Sequence, residues 1–430
     1  MTGVFALYTF GEEREKWNSI RFVYYGLQAL QGRGQESSSI AWINSSGELV
    51  TASAKGPVNR LLDIVEKEKG HTAIGLVSAY EEDYIVCVEK PVKLVVAGDG
   101  RVGEVEDRRE SFRLLGQYVA GEVARGCDIL NATVKAVSEL DGGYSFIILT
   151  ERQELVCGRS RIGVKPLVIG SIGFDMGCVS SESAAVDVVG ATLSSELSAG
   201  EVVAMTPLSI RRDKADGGRE MICSFEYVYL SRPDSQILGR PVYEVREKIG
   251  EILAKHDDVS ANVVIGIPDT AIPFALGYSR MRGLPCKLGF VRTGEPVRSA
   301  LKLTQLERLI GLQLKLNPIS SSVDGKDIVL IDDSLVRGNT LKNVVSSLRR
   351  KGALQVHVRV GSPPIVDGCP YGAEIPPVDE LIARDLSSDE ISRVIGCDSF
   401  SYLAVADLIE AIGLNLSNVC VKCFRGGDRR

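Results

Sequence analysis

The residues best suited to chemistry in this sequence are two adjacent carboxylates, Asp332 and Asp333, in the segment GKDIVLIDDSLVRGNTLK. They follow the apolar residues 328–331, which are typical of a strand in the buried centre of a parallel sheet. Ligands of open α/β sheets bind at the carboxyl ends of strands. The pair is therefore suited to ribose hydroxyls, to a hydrated magnesium ion, or to positive charge developing on a ribose ring. Helix capping is the simpler alternative, but two carboxylates at one strand end make it the weaker one.

A short polar loop, residues 334–340, comes next and opens a helix. The backbone N–H groups at the start of a helix, together with the helix dipole, can hold a phosphate. The carboxylates before the loop cannot bind a phosphate themselves. The order of strand, carboxylates and loop therefore predicts a phosphate-binding loop beside a pair of sugar or metal ligands.

The rest of the sequence divides into two patterns that must position this site. Up to about Pro207, short apolar runs alternate with Gly, Ser and charged residues, which indicates a strand-rich first half with a helix at residues 17–31. After Ser235, helices alternate with strands, which indicates a parallel sheet with helices on its faces. The elements expected there are a helix at 242–255, the strand NVVIGIP, a helix from Pro273, the strands KLGFV and DIVLI, a helix at 341–351 and the strand QVHVRV. The segment FEYVYL, before this second half, alternates at every second residue and is expected to be a core strand.

The composition is that of an ordinary globular protein. A chain of 430 residues, with 44% hydrophobic and 25% charged residues, suits two domains. No apolar run approaches the roughly 18 residues that span a bilayer, and no secretory signal is visible. A net charge of -6 gives no electrostatic reason to expect nucleic acid as a partner. Ten cysteines in such a chain favour thiols or metal ligands over disulfides, and these features together indicate a cytoplasmic protein.

The segment around the two carboxylates resembles the phosphoribosyl pyrophosphate (PRPP) motif of the type I phosphoribosyltransferases. The similarity extends along nearly the whole chain, in colinear order, to the amidophosphoribosyltransferases, the glutamine PRPP amidotransferases that begin purine synthesis. The segments that carry it are YYGLQALQGRGQES, SSES, GEVVAMT, CSFEYVYLSRPDS, GIPDT, KLNP, VHVRVGSPPI and DSFSYL.

That family joins an N-terminal-nucleophile glutaminase domain, a sandwich of sheets between helix layers, to a phosphoribosyltransferase domain. The resemblance therefore implies an α+β glutaminase-like domain at residues 1–225, an α/β type I phosphoribosyltransferase domain at 226–410 and a cluster-binding tail at 411–430. In the family, an N-terminal cysteine releases ammonia from glutamine. The ammonia then displaces pyrophosphate from C1 of PRPP and gives phosphoribosylamine.

The resemblance also implies roles for residues of the transferase site. Asp332, Asp333 and Arg298 are expected to be catalytic, with magnesium held by the two carboxylates. The residues expected to bind PRPP are Asp269, Thr270, Ser334, Arg337, Gly338, Asn339 and Thr340. Asn339 replaces a threonine, which is a mild change. Ala271 in the pyrophosphate loop replaces a glycine, the residue that readily takes strained or positive-φ conformations, and the lid reads VRSAL where the family has GRTFI.

Thr2 stands where the family has its nucleophilic cysteine. A threonine hydroxyl can serve as a nucleophile when a free terminal amine takes its proton. Other family residues are absent: GLVSAYEED has no arginine for a glutamine carboxylate, Gly32 replaces a histidine, and RVGEVEDRRESF lacks the acidic amine-binding segment. Asp99 replaces the oxyanion asparagine and would place negative charge beside a developing oxyanion. These departures predict a degenerate glutaminase site that is retained for structure.

Four cysteines are expected to form a metal centre. Cys420 and Cys423 form a C-x-x-C pair, which alone is a weak signal. Cys223 and Cys369 stand where cluster-bearing members of the family carry the other two ligands. The resemblance implies a 4Fe-4S cluster, and a zinc tetrathiolate with the same ligand count is the alternative. Because Cys223 lies at the domain junction and Cys420 near the C-terminus, a shared centre would tie both domains together.

Three functions are compatible with the sequence. The first is a phosphoribosyltransferase that aminates PRPP with ammonia, either free or delivered by another protein. The second is a non-catalytic PRPP- or nucleotide-binding regulatory subunit of an active paralogue, and the third is a complete glutamine-dependent enzyme that uses Thr2. The intact pair of Asp332 and Asp333 favours the first, and the third ranks last. The expected partners are PRPP, ammonia and nucleotide effectors, in a homo-oligomer (dimer or tetramer) or in a hetero-oligomer with an active paralogue.

Overall fold

The computed structural model describes residues 1–11, 16–292 and 316–425. In this part of the chain the N-terminal half forms two antiparallel sheets. Their strands are β1 (Thr2–Thr9), β2 (Ser37–Asn44), β3 (Leu49–Lys55), β4 (Gly70–Ser78), β5 (Val86–Val88), β6 (Leu94–Val102), β7 (Gly142–Thr150), β8 (Leu155–Arg159), β9 (Val168–Ile172), β10 (Met176–Ser180), β11 (Thr192–Glu196), β12 (Glu201–Thr206) and β13 (Ser209–Lys214). One sheet has the order β11, β9, β10, β1, β4, β2, β3, and the other has the order β13, β12, β8, β7, β6, β5.

Helices cover the outer faces of both sheets. They are α1 (Ser19–Ala29), α2 (Leu62–Lys67), α3 (Arg108–Ala124), α4 (Ile129–Glu139) and α5 (Ser183–Val188). Successive side chains of a strand point to opposite faces. Val4 and Ala6 of β1 therefore join the core between the sheets, whereas Phe5 and Leu7 pack against α1, α2 and α5. The half is a sandwich of two sheets between helix layers, as the resemblance implies.

The C-terminal half contains a parallel sheet. Its strands and those of short ladders nearby are β14 (Ile222–Cys223), β15 (Gln236–Ile237), β16 (Arg240–Pro241), β17 (Val263–Gly266), β18 (Phe290–Val291), β19 (Asn317–Pro318), β20 (Asp327–Asp332), β21 (Gln355–Val360), β22 (Ser399–Tyr402) and β23 (Val419–Cys420). The order β17, β20, β21, β22 is parallel throughout, so β20 lies inside the sheet. Its carboxyl end carries Asp332.

The helices of this half in the described ranges pack around that sheet. They are α6 (Val242–Lys255), α7 (Ile272–Arg282), α8 (Ser320–Val323), α9 (Asn339–Arg350), α10 (Ile382–Asp385), α11 (Ser388–Ile395), α12 (Val405–Ile412) and α13 (Lys422–Arg425). Helices α6 and α7 approach closely because glycine stands at both contacts. A Cβ on Gly250 would lie 1.9 Å from the Phe274 carbonyl oxygen, and one on Gly277 would lie 1.9 Å from that of Glu247.

Most expected elements are confirmed. Helix α6 has the predicted bounds, and the other three predicted helices are found as α1, α7 and α9. In KLGFV only Phe290–Val291 is a strand, and it pairs antiparallel with Asn317–Pro318 outside the parallel sheet. Among the helices in the described ranges, none is both long and apolar enough to cross a membrane.

The expectation of a core strand at FEYVYL is wrong, because Glu226–Leu230 is a turn of π-helix. Tyr227 is buried in this turn, while Tyr229 is exposed. Arg246 of α6 donates to the carbonyl oxygens of Tyr227 at 2.8 Å and of Ser231 at 2.7 Å. These hydrogen bonds from Arg246 satisfy backbone carbonyl groups that a strand would pair within a sheet. The alternating residue pattern of the segment does not predict them, because Arg246 lies in another element.

Arg33 joins the two halves through a buried ion-pair network. Its guanidinium binds Glu182 at 2.9 Å, Glu226 at 2.8 Å and Asp99 at 3.2 Å. Glu182 and Asp99 belong to the first half, whereas Glu226 opens the π-helical turn. The Arg33 Nε also donates to the Thr2 carbonyl oxygen at 2.9 Å. One side chain therefore fixes the first strand, the sandwich and the start of the second half.

We expect Arg33→Met to lower the free energy of unfolding by about 3–5 kcal/mol, because buried Glu182 and Glu226 would lose the guanidinium and Asp99 would keep Lys165 as its cation. Urea unfolding measures the change. Arg21→Met, on the exposed face of α1, is the matched control and should stay within about 0.5 kcal/mol of the wild-type protein. Equal stability of the two variants would contradict the role of the Arg33 network.

Candidate functional site

The two carboxylates lie where the sequence predicts, at the carboxyl end of a buried parallel strand. Asp332 is the last residue of β20, and Asp333 follows it. The Asp333 N–H donates to Asp332 Oδ1 at 2.9 Å, and the Ser334 hydroxyl donates to Asp333 Oδ1 at 2.7 Å. The strand and these bonds hold both carboxylates at the same edge of the sheet.

Burial makes this carboxylate pair less acidic than ordinary aspartates. Burial, and then the neighbouring charge of Asp333, raise the pKa of Asp332 well above its usual range. Burial likewise raises the pKa of Asp333 from 3.8 to about 6, although Arg246 opposes the shift. Burial also lowers the pKa of the Arg246 guanidinium, to about 10. The pair is short of compensating positive charge, and a bound cation would lower both carboxyl pKa values.

The loop after the carboxylates leads into the N-terminus of α9, as the sequence predicts. Gly338 precedes the helix with a φ of 79°, a left-handed conformation that favours glycine. Asn339 and Thr340 open the helix and are exposed. Arg337 is also exposed and forms an ion pair with Glu380. The whole loop lines the same cavity as the two carboxylates, so its backbone N–H groups are near the space that a ligand would occupy.

The second predicted PRPP segment, GIPDT, follows β17, the neighbour of β20 in the sheet. Thr270 lines the cavity, whereas the exposed Asp269 forms an ion pair of 2.6 Å with Arg292. Ala271 has φ −84° and ψ −1°, an ordinary right-handed conformation. In this conformation the position does not require glycine. Arg298, predicted to be catalytic, lies outside the described residues.

A cavity of about 880 Å³ connects this edge of the sheet with the junction between the halves. The carboxylates and the phosphate-type loop line one part of it. Met1, Lys165 and cysteine side chains line another part, and Phe225 and Tyr229 of the FEYVYL segment also contribute. The predicted transferase site and the predicted cysteine site therefore share one cavity.

All four predicted metal ligands, Cys223, Cys369, Cys420 and Cys423, line that cavity. Strands β14 and β23 pair in parallel with Cys223 opposite Cys420, and the Tyr371 N–H donates to Cys369 Sγ at 3.4 Å. Burial raises the pKa of the Cys223, Cys420 and Cys423 thiols. All ten cysteines are free thiols. Within residues 1–11, 16–292 and 316–425, no three His, Cys, Asp or Glu side chains converge on one position that could hold a metal ion.

Thr2 begins β1 and is fully buried. Its hydroxyl donates to Asp99 Oδ1 at 2.7 Å and accepts from Arg108 Nη2 at 2.9 Å. Arg108 also donates to the Gly98 carbonyl oxygen and forms an ion pair with Asp83 of the GLVSAYEED segment. The sequence analysis found no arginine in that segment, but the structure brings one there from the start of α3. Arg108 occupies the space beside the nucleophile position.

Asp99 is held as an anion beside the Thr2 hydroxyl. Burial alone would raise its pKa, but Lys165 and Arg33 lower that pKa well below the usual range. The two cations lie 3.4 Å and 3.2 Å from Asp99 Oδ2. A fixed negative charge at this position opposes the formation of an oxyanion.

Comparisons with known proteins identify the family of this fold. Residues 239–361 match the family model described as "Phosphoribosyl transferase domain". The amidophosphoribosyltransferases of Methanothermobacter thermautotrophicus and Bacillus subtilis are 36% and 34% identical, each over 94% of this chain and 90% of the relative. Among solved structures, the glutamine PRPP amidotransferase from B. subtilis complexed with ADP and GMP superposes with a TM-score of 0.88 at 32% identity, covering 99% of this chain and 96% of that chain.

The sandwich and the matched domain define a protein class in which a glutaminase-type domain is joined to a phosphoribosyltransferase domain. The similarity along nearly the full length is more specific. The chain belongs to the amidophosphoribosyltransferase family of purine biosynthesis.

Four buried or partly buried cations at these sites were not singled out by sequence reasoning. They are Arg33, Arg108, Lys165 and Arg246. Arg33 lies inside the GRGQES segment that carries the resemblance, so a signal for it was available. The other three have no local signal, because their partners lie in other elements. Buried Arg and Lys are rare unless they are paired, but only the fold identifies them as buried.

The carboxylate pair predicts a pH-dependent stability. The folded pKa of Asp333 is above its unfolded value, so its contribution to stability is complete below pH 3.8 and is lost as the pH rises through about 6. Asp333→Asn should therefore gain stability over the wild-type protein between pH 4.5 and 7.5, by roughly 1–3 kcal/mol at the upper end. Urea unfolding without divalent cations measures this difference. Asp327→Asn, at the other end of β20, is the control, and a gain independent of pH would contradict the prediction.

Proposed function

We propose that the chain forms phosphoribosylamine from PRPP with ammonia and does not hydrolyse glutamine. The observation that carries the proposal is the contrast between its two sites. The pair of Asp332 and Asp333 lines an open cavity with its phosphate-type loop, whereas the Thr2 hydroxyl is enclosed by Asp99 and Arg108. The relatives named amidophosphoribosyltransferase support the reaction class.

In this proposal the transferase edge of the sheet carries out the reaction. The backbone N–H groups of loop 334–340 and the N-terminus of α9 bind the 5'-phosphate. Asp332 and Asp333 hold the ribose and offset positive charge at C1 in the transition state, while Thr270 and Asp269 contact the pyrophosphate. The ammonia lone pair forms the C1–N bond as the bond from C1 to pyrophosphate breaks. The new amine then releases a proton.

Magnesium fits the carboxylate pair. Mg²⁺ commonly takes one or two protein carboxylates and completes its coordination with water and substrate phosphates. The raised pKa values of Asp332 and Asp333 indicate that too little positive charge lies near these carboxylates to offset their burial. Bound magnesium would neutralise charge on the pyrophosphate leaving group.

The surroundings of Thr2 support the absence of glutaminase activity. The anionic Asp99 lies 2.7 Å from the hydroxyl, where the family has an oxyanion donor. Removing a single oxyanion donor costs roughly 100- to 1000-fold in rate, and replacing it by an anion is more severe. Arg108 is already paired with Asp83 and Thr2. These bonds engage the guanidinium, so it is not free to hold a glutamine carboxylate.

Pyrophosphate release from PRPP, with ammonium or glutamine as the nitrogen source, tests this function. We expect turnover with ammonium, none with glutamine, and no change of the ammonium rate in Thr2→Ala. The double variant Asp332→Asn/Asp333→Asn should lose at least ~100-fold of the turnover while remaining folded. Asp327→Asn, on the same strand, is the control and should retain it.

Two outcomes would overturn the proposal. Glutamine hydrolysis that disappears in Thr2→Ala would show that the N-terminal site is active. PRPP binding without pyrophosphate release from either nitrogen source would favour the non-catalytic regulatory subunit.

We also propose that Cys223, Cys369, Cys420 and Cys423 hold a 4Fe-4S cluster. Four thiols in the wall of one cavity match the donor set of such a cluster. A zinc ion bound by four thiolates has the same ligand count. The positions of these cysteines match those of the cluster-bearing members of the family, and this resemblance favours the cluster over zinc.

Metal analysis of anaerobically purified protein tests the cluster. We expect broad visible absorption and roughly four irons per chain. Cys420→Ser should lose most of the iron, whereas Cys286→Ser, a partly buried cysteine away from this cavity, should keep it. Protein that contains zinc in place of iron, or neither metal, would refute the assignment.

The partners and the compartment complete the proposal. A solved relative is complexed with ADP and GMP, and we extend purine nucleotide binding to this chain as a regulatory interaction. We propose a homo-oligomer, or a hetero-oligomer with an active paralogue, in the cytoplasm. None of the ten cysteines forms a disulfide, which is typical of a reducing compartment.

A further inference from the structure

Lys165 is a buried cation without a hydrogen bond. Its side chain is 1% exposed, and its Nζ makes no hydrogen bond in the described part of the chain. The nearest carboxylate oxygen in an ion pair is Asp99 Oδ2 at 3.4 Å, and Asp99 also binds Arg33 at 3.2 Å. A buried ammonium group normally finds hydrogen-bond acceptors, because leaving it unsatisfied is costly. The Lys165 Nζ therefore has hydrogen-bonding capacity that is available to an anion in the cavity.

The backbone places this cation beside the proposed cluster ligands. The Cys223 N–H donates to the carbonyl oxygen of Val164, the residue before Lys165, at 3.1 Å. Lys165 lines the same cavity as the four cysteines. Burial alone would lower the pKa of its ammonium group, but Asp99, Glu226, Cys223 and Cys369 raise it above its usual value. Lys165 therefore remains charged beside two of the four thiols.

Cluster formation would create a demand for positive charge at this place. Four thiolates carry more negative charge than the iron and sulfide core offsets, so the bound cluster is an anion in a largely buried pocket. A buried anion is destabilising unless a cation compensates it. The Arg33 network cannot supply that charge, because its guanidinium already binds Glu182, Glu226 and Asp99.

We propose that Lys165 is the internal counter-ion of the cysteine-bound cluster, a positioning residue that retains the cluster and raises its reduction potential. This inference rests on the proposed 4Fe-4S cofactor. Reduction adds negative charge, so a nearby fixed cation favours the reduced state. Lys165 would also connect the cluster electrostatically with Asp99 and the former nucleophile position.

The test uses the full-length, anaerobically purified protein and variants that change one charge at a time. Lys165→Met alone removes a cation from beside Asp99 and could unfold the sandwich. The double variant Lys165→Met/Asp99→Asn avoids this unpaired buried charge, because the amide that replaces the carboxylate is neutral. The single variant Asp99→Asn is the reference for the double variant. Lys165→Arg retains the positive charge. Lys422→Met is the matched control, since Lys422 is exposed and also interacts with Cys369 and Cys420.

Three readouts do not depend on catalytic activity. These are iron content per chain, the rate at which visible absorption disappears in the presence of a chelator, and the reduction potential. Relative to Asp99→Asn, the double variant should lose its absorption several-fold faster and have a more negative potential. Asp99→Asn alone should shift the potential upward, because Lys165 would lose its carboxylate partner. Lys165→Arg and Lys422→Met should resemble the wild-type protein, the latter because solvent screens an exposed charge.

The outcomes separate this inference from the cofactor proposal. Wild-type protein without iron would overturn both. A second outcome would overturn the role of Lys165 and leave the cofactor proposal intact. In it, the wild-type protein contains iron, and the double variant equals Asp99→Asn both in the stability of its cluster and in its reduction potential. An equal effect of Lys422→Met and the double variant would also overturn it, because the effect would then come from charge in general.

Discussion

The buried ion-pair network of Arg33 is the interaction on which the two-domain structure depends. One guanidinium satisfies Glu182, Glu226 and Asp99, and it also holds the carbonyl oxygen of Thr2. No other contact of comparable charge in the described residues joins the first strand, the sandwich and the start of the second half at one point. Close packing allows it, since a Cβ on the neighbouring Gly34 would lie 2.1 Å from the Ser78 backbone. The domains are therefore joined by an interaction that is costly to break.

The charge of Asp99 sets the electrostatics around Thr2 in the first domain. An aspartate in place of a neutral amide must be compensated once it is buried, and Arg33 and Lys165 provide that compensation. The Thr2 hydroxyl binds Asp99 and Arg108. The polar groups of this site therefore satisfy one another.

The transferase site has the opposite character. Asp332 is buried and Asp333 is partly buried beside it without enough positive charge, and the loop next to them lines the cavity. Their raised pKa values reflect an electrostatic cost that ligand binding would relieve. The same cavity reaches the four cysteines and Lys165. The four cysteines and the edge with the two carboxylates therefore border a shared volume.

The sequence by itself determined the parallel sheet and the phosphate-type loop. The apolar run before Asp332, the helix at 242–255 and the loop at 334–340 are local features, because their residues are neighbours in the chain. Local propensity and periodicity are enough to specify such elements. The resemblance segments likewise identified the family and the order of its two domains, since colinear motifs do not depend on tertiary contacts.

Only the tertiary structure decided how the charged residues pair. The alternation in FEYVYL suggested a strand, but bonds from Arg246 accompany a π-helical turn instead. Arg108 reaches Thr2 from a helix 106 residues away in the chain. The fold likewise brings Lys165 near Asp99 and Cys223, which are distant from it in the sequence. The identity of an Arg or Lys does not specify its distant partner. Burial and distance do so, and these are properties of the folded chain alone.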